Sequence, residues 1–397
     1  MDSSDCNIDI EFIDSASGLR NFCDRIQSSE WLALDTEFLR ENTYFPKFCL
    51  LQIANDDQVA CIDPLNIDDL DQLFDILYSE KITKVFHSGR QDLEIFFHIR
   101  GTLPSPIFDT QLAAPLLGHV EQISYAALVL EMLGVELVKG HTRTDWSRRP
   151  LSTAQLNYAA DDVLYLARIY QKMCEQLASL GRRNWLDRDF AALLDPENFQ
   201  NPPEKAWKRI RGAQVLNGQS RSILQGLAEW RERAAHRNNL PRNWIIKDEG
   251  LLNISRVNPS NDTELHRLSG LNDRTLKRYG KQILEIVEQA RKNPPPVEDI
   301  PSRFVRKSPQ HEVLVNLLNG VVHQIALDNA LSAATLAPKK DLDLLVSGNL
   351  DNKLLQGWRK ALVGDTLLSI LQGDTMLSIT DDALQLEPRK TRLRGAS

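Results

Sequence analysis

The sequence predicts an α/β layered sheet domain followed by two all-helical domains. Three observations carry this expectation. Five short apolar runs, Trp31–Phe38, Phe48–Ala54, Val59–Ile62, Thr83–His87 and Ile107–Asp109, come as three early strands and then two separated by helical stretches. Two proline-broken segments, Asp195–Glu204 and Asn293–Pro301, cut the chain into blocks of about 200, 90 and 95 residues, each a reasonable domain size. Beyond the first break the apolar spacing is helical. Leu224, Leu227, Trp230, Arg231 and Ala234 mark one face, and Leu276, Ile283, Ile286 and Val287 another. In the third block Val313, Leu317, Val321 and Ile325 repeat the pattern, as do Leu342, Leu345 and Val346.

The first run matters most, because Trp31-Leu32-Ala33-Leu34 leads into Asp35-Thr36-Glu37. Strand side chains alternate, so Asp35 and Glu37 point to the same side at the end of a buried strand. Two carboxylates so placed repel and lose hydration, and a divalent cation between them relieves both costs. All-oxygen ligation suits Mg²⁺ or Mn²⁺. Val85–Phe96 reads as a short strand, a turn and a helix start, with His87 at the strand end and Asp92 entering the helix. A long helix is expected from Ser152 or Thr153 to Leu180, one of the first two serving as cap. On it Tyr158 and Asp162 lie four apart and share a face, whereas Asp161 is turned away by about 100°. Asp35, Glu37, Asp92 and Asp162 are therefore expected as ligands of two divalent ions about 3.5–4 Å apart. A phenol titrates near 10, too high for an efficient base, so Tyr158 is expected to orient the attacking water.

Composition bounds the rest. With 42% apolar and 25% charged residues the chain is an ordinary globular one. No run of eighteen apolar residues suggests a membrane span. The acidic start Met1–Asp5 lacks a signal-peptide pattern, and the five scattered cysteines read as reduced thiols, so a cytoplasmic protein is expected. The net charge of -7 is unevenly spread. Residues 1–200 hold 17 Lys and Arg against 32 Asp and Glu, whereas residues 201–294 hold 18 against 10. An acidic unit beside a basic one suits metal chemistry in the first and phosphate tracking in the second.

The order Asp-x-Glu, His-x4-Asp-Leu, Tyr-x3-Asp resembles the DEDD 3′→5′ exonucleases whose last motif carries tyrosine. Neighbouring words resemble the ribonuclease D branch: Leu34–Arg40, Leu50–Ala54, Phe108–Gln111, Asp145–Leu151 and Leu156–Val163. Position 157 is Asn, which disfavours the histidine-type subgroup. Asn239–Arg242, Ile246–Leu251, Leu268–Leu271 and Arg278–Lys281 resemble the HRDC domain of that branch and of RecQ-type helicases. The resemblance implies a ribonuclease H-like exonuclease domain on a mixed sheet over residues 1–200 and an HRDC domain over 205–294. A diverged HRDC-like domain over 302–390 follows mostly because the branch has two.

The resemblance also implies a 3′→5′ exoribonuclease that trims tRNA precursors and other small structured RNAs and releases 5′-mononucleotides. Beside the acids, Phe38 and Arg40 are candidates for base stacking and phosphate contact, with Tyr44 and Lys47 behind them. His87 is a candidate for substrate positioning or a structural role, and Arg149, with Arg148, for clamping a phosphate. His141 is a further alternative. Two rival functions are a Werner-type DNA exonuclease and a non-catalytic RNA-binding scaffold.

Overall fold

Ile10–Ile13 pairs with Val59–Ile62 and opens the sheet that carries Asp35 and Glu37. The computed structural model describes residues 9–389, apart from 138–139, 141–143, 217, 293–307 and 382. The sheet strands are β1 (Ile10–Ile13), β2 (Trp31–Leu39), β3 (Lys47–Ala54), β4 (Val59–Ile62), β5 (Thr83–Phe86) and β6 (Ile107–Asp109). Their order is β1-β4-β3-β2-β5-β6. The β4–β3 and β3–β2 pairs are antiparallel and the other three are parallel, so the sheet is mixed. The sequence reading lacked β1, a four-residue edge strand too short to show a period.

Helices cover both faces. These are α1 (Ala16–Ile26), α2 (Asp71–Leu77), α3 (Arg90–Arg100), α4 (Thr110–Ala113), α5 (Tyr125–Leu133) and α6 (Thr153–Ser179). Leu32 and Leu34 of β2 pack with Phe22, Phe74, Phe86 and Phe96 on the α1–α3 side. Each such fully buried side chain contributes roughly 1.5–3 kcal/mol. Ala33, Cys49 and Cys61 pack with Ala159, Ala160 and Val163 on the α6 side. The small Ala159 and Ala160, both fully buried, let α6 lie close to the strands. Ser152 caps α6 in a reciprocal capping box with Gln155, as the sequence suggested.

Two further units follow. Residues 206–290 build one apolar cluster around helices Gly218–Asn238 and Asp273–Lys292. Residues 315–367 build another around helix Pro309–Asp328. This last unit corrects the all-helical expectation. It ends in an antiparallel hairpin, Thr375–Thr380 with Ala383–Pro388, and contains one π-helical turn, Lys360–Gly364. The proline-rich break at 293–301 lies outside the described residues. Among the described residues no helix is long and apolar enough to cross a membrane.

Candidate active site

Alternation along β2 sends Asp35 and Glu37 to the α6 side, where Asp162 meets them from the helix. Carboxylate oxygens of the three lie within 4.8 Å of one another. Asp162, not Asp161, joins the cluster, as the helical period requires. Asp92 approaches from the first turn of α3 and is 7% exposed. The Thr36 hydroxyl donates a 2.5 Å hydrogen bond to Asp92 Oδ1 and ties α3 to the middle of β2.

The turn that delivers Asp92 is built for it. Asp109 accepts the backbone N–H groups of Ser88 (3.1 Å) and Gly89 (2.8 Å), and also caps α4. Ser88 adopts a left-handed φ of 60°. Gly89 has no room for a side chain, because a Cβ there would lie 2.5 Å from Cβ of Phe86.

The electrostatics of the cluster are one-sided. Burial pushes Asp35 well above the usual carboxylate range, and Asp92, Asp162 and Glu37 push it further. Glu37 is raised to about 8 by burial, then by Asp162 and Asp92. Asp162 is raised to about 7 by burial and by Asp161. Asp92 reaches about 6 through burial, partly offset by the Thr36 hydrogen bond. Asp35, Glu37 and Asp162 open onto a groove of about 400 Å³ lined also by Phe38, His87, Gln91, Tyr125, Trp146 and Tyr158. Among the described residues no lysine or arginine lines it. Such a closely packed acid set fits hard divalent metal ions, which would supply the balancing positive charge.

Tyr158 sits one turn before Asp162, its ring stacked at 6.2 Å on that of Trp146. Burial, then Asp162, Glu37 and Asp35, push its phenol up to about 12, so it keeps its proton at neutral pH. Tyr125 donates to the Asp161 carbonyl at 3.0 Å and closes the groove beside α6.

The candidate substrate contacts divide. Phe38 lines the groove. His87 also lines it, but both its ring nitrogens are engaged, Nδ1 with Thr110 Oγ1 (2.9 Å) and Nε2 with the Ile123 carbonyl (3.1 Å). Burial keeps its pKa below the usual imidazole value. Arg40 turns away from the acids and pairs with Glu94 at 2.5 Å. Arg149 is not a phosphate clamp. Its Nε and Nη2 hold the fully buried Asp63 at 2.5 and 2.7 Å, while Nη1 donates to the carbonyls of Trp146 and Arg148 and Nη2 to that of Cys49. With its five N–H groups committed inside the fold, Arg149 anchors the loop that carries Trp146. Tyr44 likewise docks on the second unit rather than facing a base. His141 lies outside the described residues.

Trp146, Tyr125, Thr36 and Asp109 were not singled out from sequence as functional. Trp146 and Asp109 fall inside the motif words, which was the available signal. Thr36 also falls inside one, between Asp35 and Glu37, whereas Tyr125 carried no signal.

Comparison with known proteins agrees with this geometry. Residues 10–178 match the 3′-5′ exonuclease family and residues 220–287 match the HRDC domain. The chain is 38% identical over 386 residues to ribonuclease D of Sphingobium indicum, covering 94% of this chain and 97% of that one. It is 38% identical over 382 residues to ribonuclease D of Zymomonas mobilis, covering 92% and 95%. It superposes on the crystal structure of Escherichia coli RNase D, an exoribonuclease involved in structured RNA processing, with a TM-score of 0.80 and 31% identity over 92% of this chain and 99% of that chain. The relatives favour neither a DNA exonuclease nor an inert scaffold. An acid groove on a mixed sheet, an HRDC domain behind it and full-length relatives of one kind place the chain in the ribonuclease D family, as a 3′→5′ exoribonuclease.

Proposed function

We propose that the enzyme trims 3′ extensions from small structured RNAs such as tRNA precursors, one nucleotide at a time, and releases 5′-mononucleotides. The observation that carries this is the convergence of Asp35, Glu37 and Asp162, with Asp92 beside them, at a groove lined by no lysine or arginine among the described residues. Asp35, Glu37, Asp92 and Asp162 would hold two divalent ions, Mg²⁺ or Mn²⁺. When bound, these supply water activation and neutralise charge on the phosphate and the departing oxygen.

The protein residues do the rest. The protonated Tyr158 hydroxyl donates to the attacking water and fixes its direction toward phosphorus. Trp146 holds the Tyr158 ring in place, and Phe38 meets the terminal base. The water oxygen forms the new bond to phosphorus, and the bond to the 3′ oxygen of the penultimate nucleotide breaks. The water gives up its proton to solvent as it bonds, the departing 3′ oxygen takes one up, the last nucleotide leaves with its 5′ phosphate, and the shortened RNA ends in a 3′ hydroxyl.

The domain division that fits this reading is 1–200 for catalysis, 205–294 for an HRDC domain and 302–390 for a diverged relative of it. The basic second unit holds the RNA body while the 3′ end enters the acidic groove. A direct test offers matched RNA and DNA with 3′ overhangs in Mg²⁺ or Mn²⁺ and resolves the products. Nucleoside 5′-monophosphates from the RNA 3′ end are expected. Equal or faster digestion of DNA, or release of oligonucleotides, would contradict the proposal.

A further inference from the structure

The second unit grips the loop that leaves the catalytic strand. β2 ends at Leu39 and β3 begins at Lys47, so residues 40–46 bridge them. The β2–β3 register shifts between Glu37 and Phe38, so the ladder is irregular where the groove wall begins. What holds the loop therefore bears on where Phe38 stands.

The holder is a set of polar side chains from the second unit. Asn239 follows helix Gly218–Asn238 at a left-handed φ of 48°. Its Oδ1 accepts two consecutive backbone N–H groups, those of Tyr44 (3.0 Å) and Phe45 (3.1 Å). The Tyr44 hydroxyl donates to Glu232, and Arg242 chelates the same carboxylate at 2.6 and 2.7 Å while lying over the Tyr44 ring. Glu232 is 1% exposed. Phe45 stacks on His98 of α3 at 3.9 Å and meets His236 edge-on at 4.9 Å. At the near end of the loop, Arg40 pairs with Glu94, two residues beyond Asp92 on α3.

Apolar contact alone would glue two domains together. A buried carboxylate shared by an arginine and a phenol, with two adjacent N–H groups captured by one carboxamide, accepts a single geometry and is costly in any other. We propose that Asn239, Glu232 and Arg242, closed on Tyr44, make the second unit a positioning part of the catalytic groove. The clasp sets the loop that aims Phe38 and, through Arg40 and Glu94, steadies the first turn of α3. This rests on the groove being the hydrolytic site.

The test uses full-length protein and a single-stranded RNA trinucleotide, which offers too few phosphates to depend on an extended basic face for binding. Asn239→Gly tolerates the left-handed backbone and removes the carboxamide, and Tyr44→Phe removes one hydroxyl. Both variants are expected to bind Mn²⁺ and to melt as wild type does, yet to lose about tenfold to a hundredfold in kcat on the trinucleotide, the range that a small misplacement costs. A normal trinucleotide kcat overturns the proposal, whether longer RNA is impaired (the second unit then only holds RNA) or not. A loss that tracks a lowered melting temperature and disappears on cooling also overturns it, since the clasp would then be a stabilising contact alone. Wild type and Asp35→Asn run alongside separate this outcome from failure of the hydrolytic reading itself.

Discussion

Asp35 is half-buried and faces three other carboxyls, with no lysine or arginine among the described residues of its groove, which makes it central to the site. Replacing Asp35 or Asp162 by Asn keeps the shape and removes one charge. Each variant is expected to lose about a thousandfold or more in kcat while circular dichroism and RNA affinity stay near wild type. Turnover within about tenfold of wild type for both would remove the metal-ligand assignment. Tyr158→Phe is expected to lower kcat much more than it raises KM, because the hydroxyl acts on the water and not on the RNA body. An effect confined to KM would move Tyr158 to substrate binding.

The same acids set a pH dependence for the metal-free protein. Glu37 near 8 and Asp162 near 7 hold protons that the unfolded chain, titrating near 4, has already released. The folded state therefore binds more protons over that window, and stability falls as pH rises from about 4 to 8 before levelling. Melting temperatures in EDTA between pH 5 and 8.5 should decline, and saturating Mn²⁺ should remove most of the decline. Asp35→Asn should flatten the EDTA curve. A metal-free curve that rises over this range would contradict the one-sided electrostatics.

Among the elements, the Gly89 turn is the most sensitive. Gly89→Ala would drive a methyl into Phe86 and shift Asp92 from Thr36. A loss of about 1–3 kcal/mol in denaturant unfolding is expected, with weakened metal affinity. Wild-type stability and metal affinity together would show that the turn has slack. Val59–Ile62, Ile107–Asp109 and the capped long helix were legible in the sequence because apolar runs, spacing and cap chemistry agree there. The terminal hairpin was not. Met376 and Ile379 are exposed, so it lacks a clean buried face that would show as alternation. Asp35 with Glu37, and Tyr158 with Asp162, were legible as same-side pairs because two local periods, two along a strand and 3.6 along a helix, place them so, whereas Asp92 was legible only through motif order. Arg149 was misread because its partners, Asp63 and Cys49, are about ninety to a hundred residues distant and no local rule brings them together. Thr36 and Asp109 act through hydrogen bonds to other segments and left no periodic trace either.

At the scale of the whole molecule, charge is divided between an acidic first unit and a basic second one. Helix Asp273–Lys292 carries Arg274, Lys277, Arg278 and Lys281 exposed at helical spacing, a basic stripe on the second unit. Lys277→Ala with Lys281→Ala is expected to weaken binding of a tRNA-sized RNA and to lower the slope of log K against log salt by about 2, one per phosphate contact. Trinucleotide hydrolysis should not change. An unchanged slope would remove this helix from the RNA path.

The most direct measurement is a Mn²⁺ titration of wild type, Asp35→Asn and Asp162→Asn, followed by calorimetry or electron paramagnetic resonance, with 3′-end hydrolysis assayed in the same samples. Wild type should bind Mn²⁺ at the acid cluster and hydrolyse RNA in proportion to occupancy, and both variants should lose bound metal and hydrolysis together. Undiminished Mn²⁺ binding in the variants, or full hydrolysis in the presence of EDTA, would contradict the assignment of these carboxylates as the metal site.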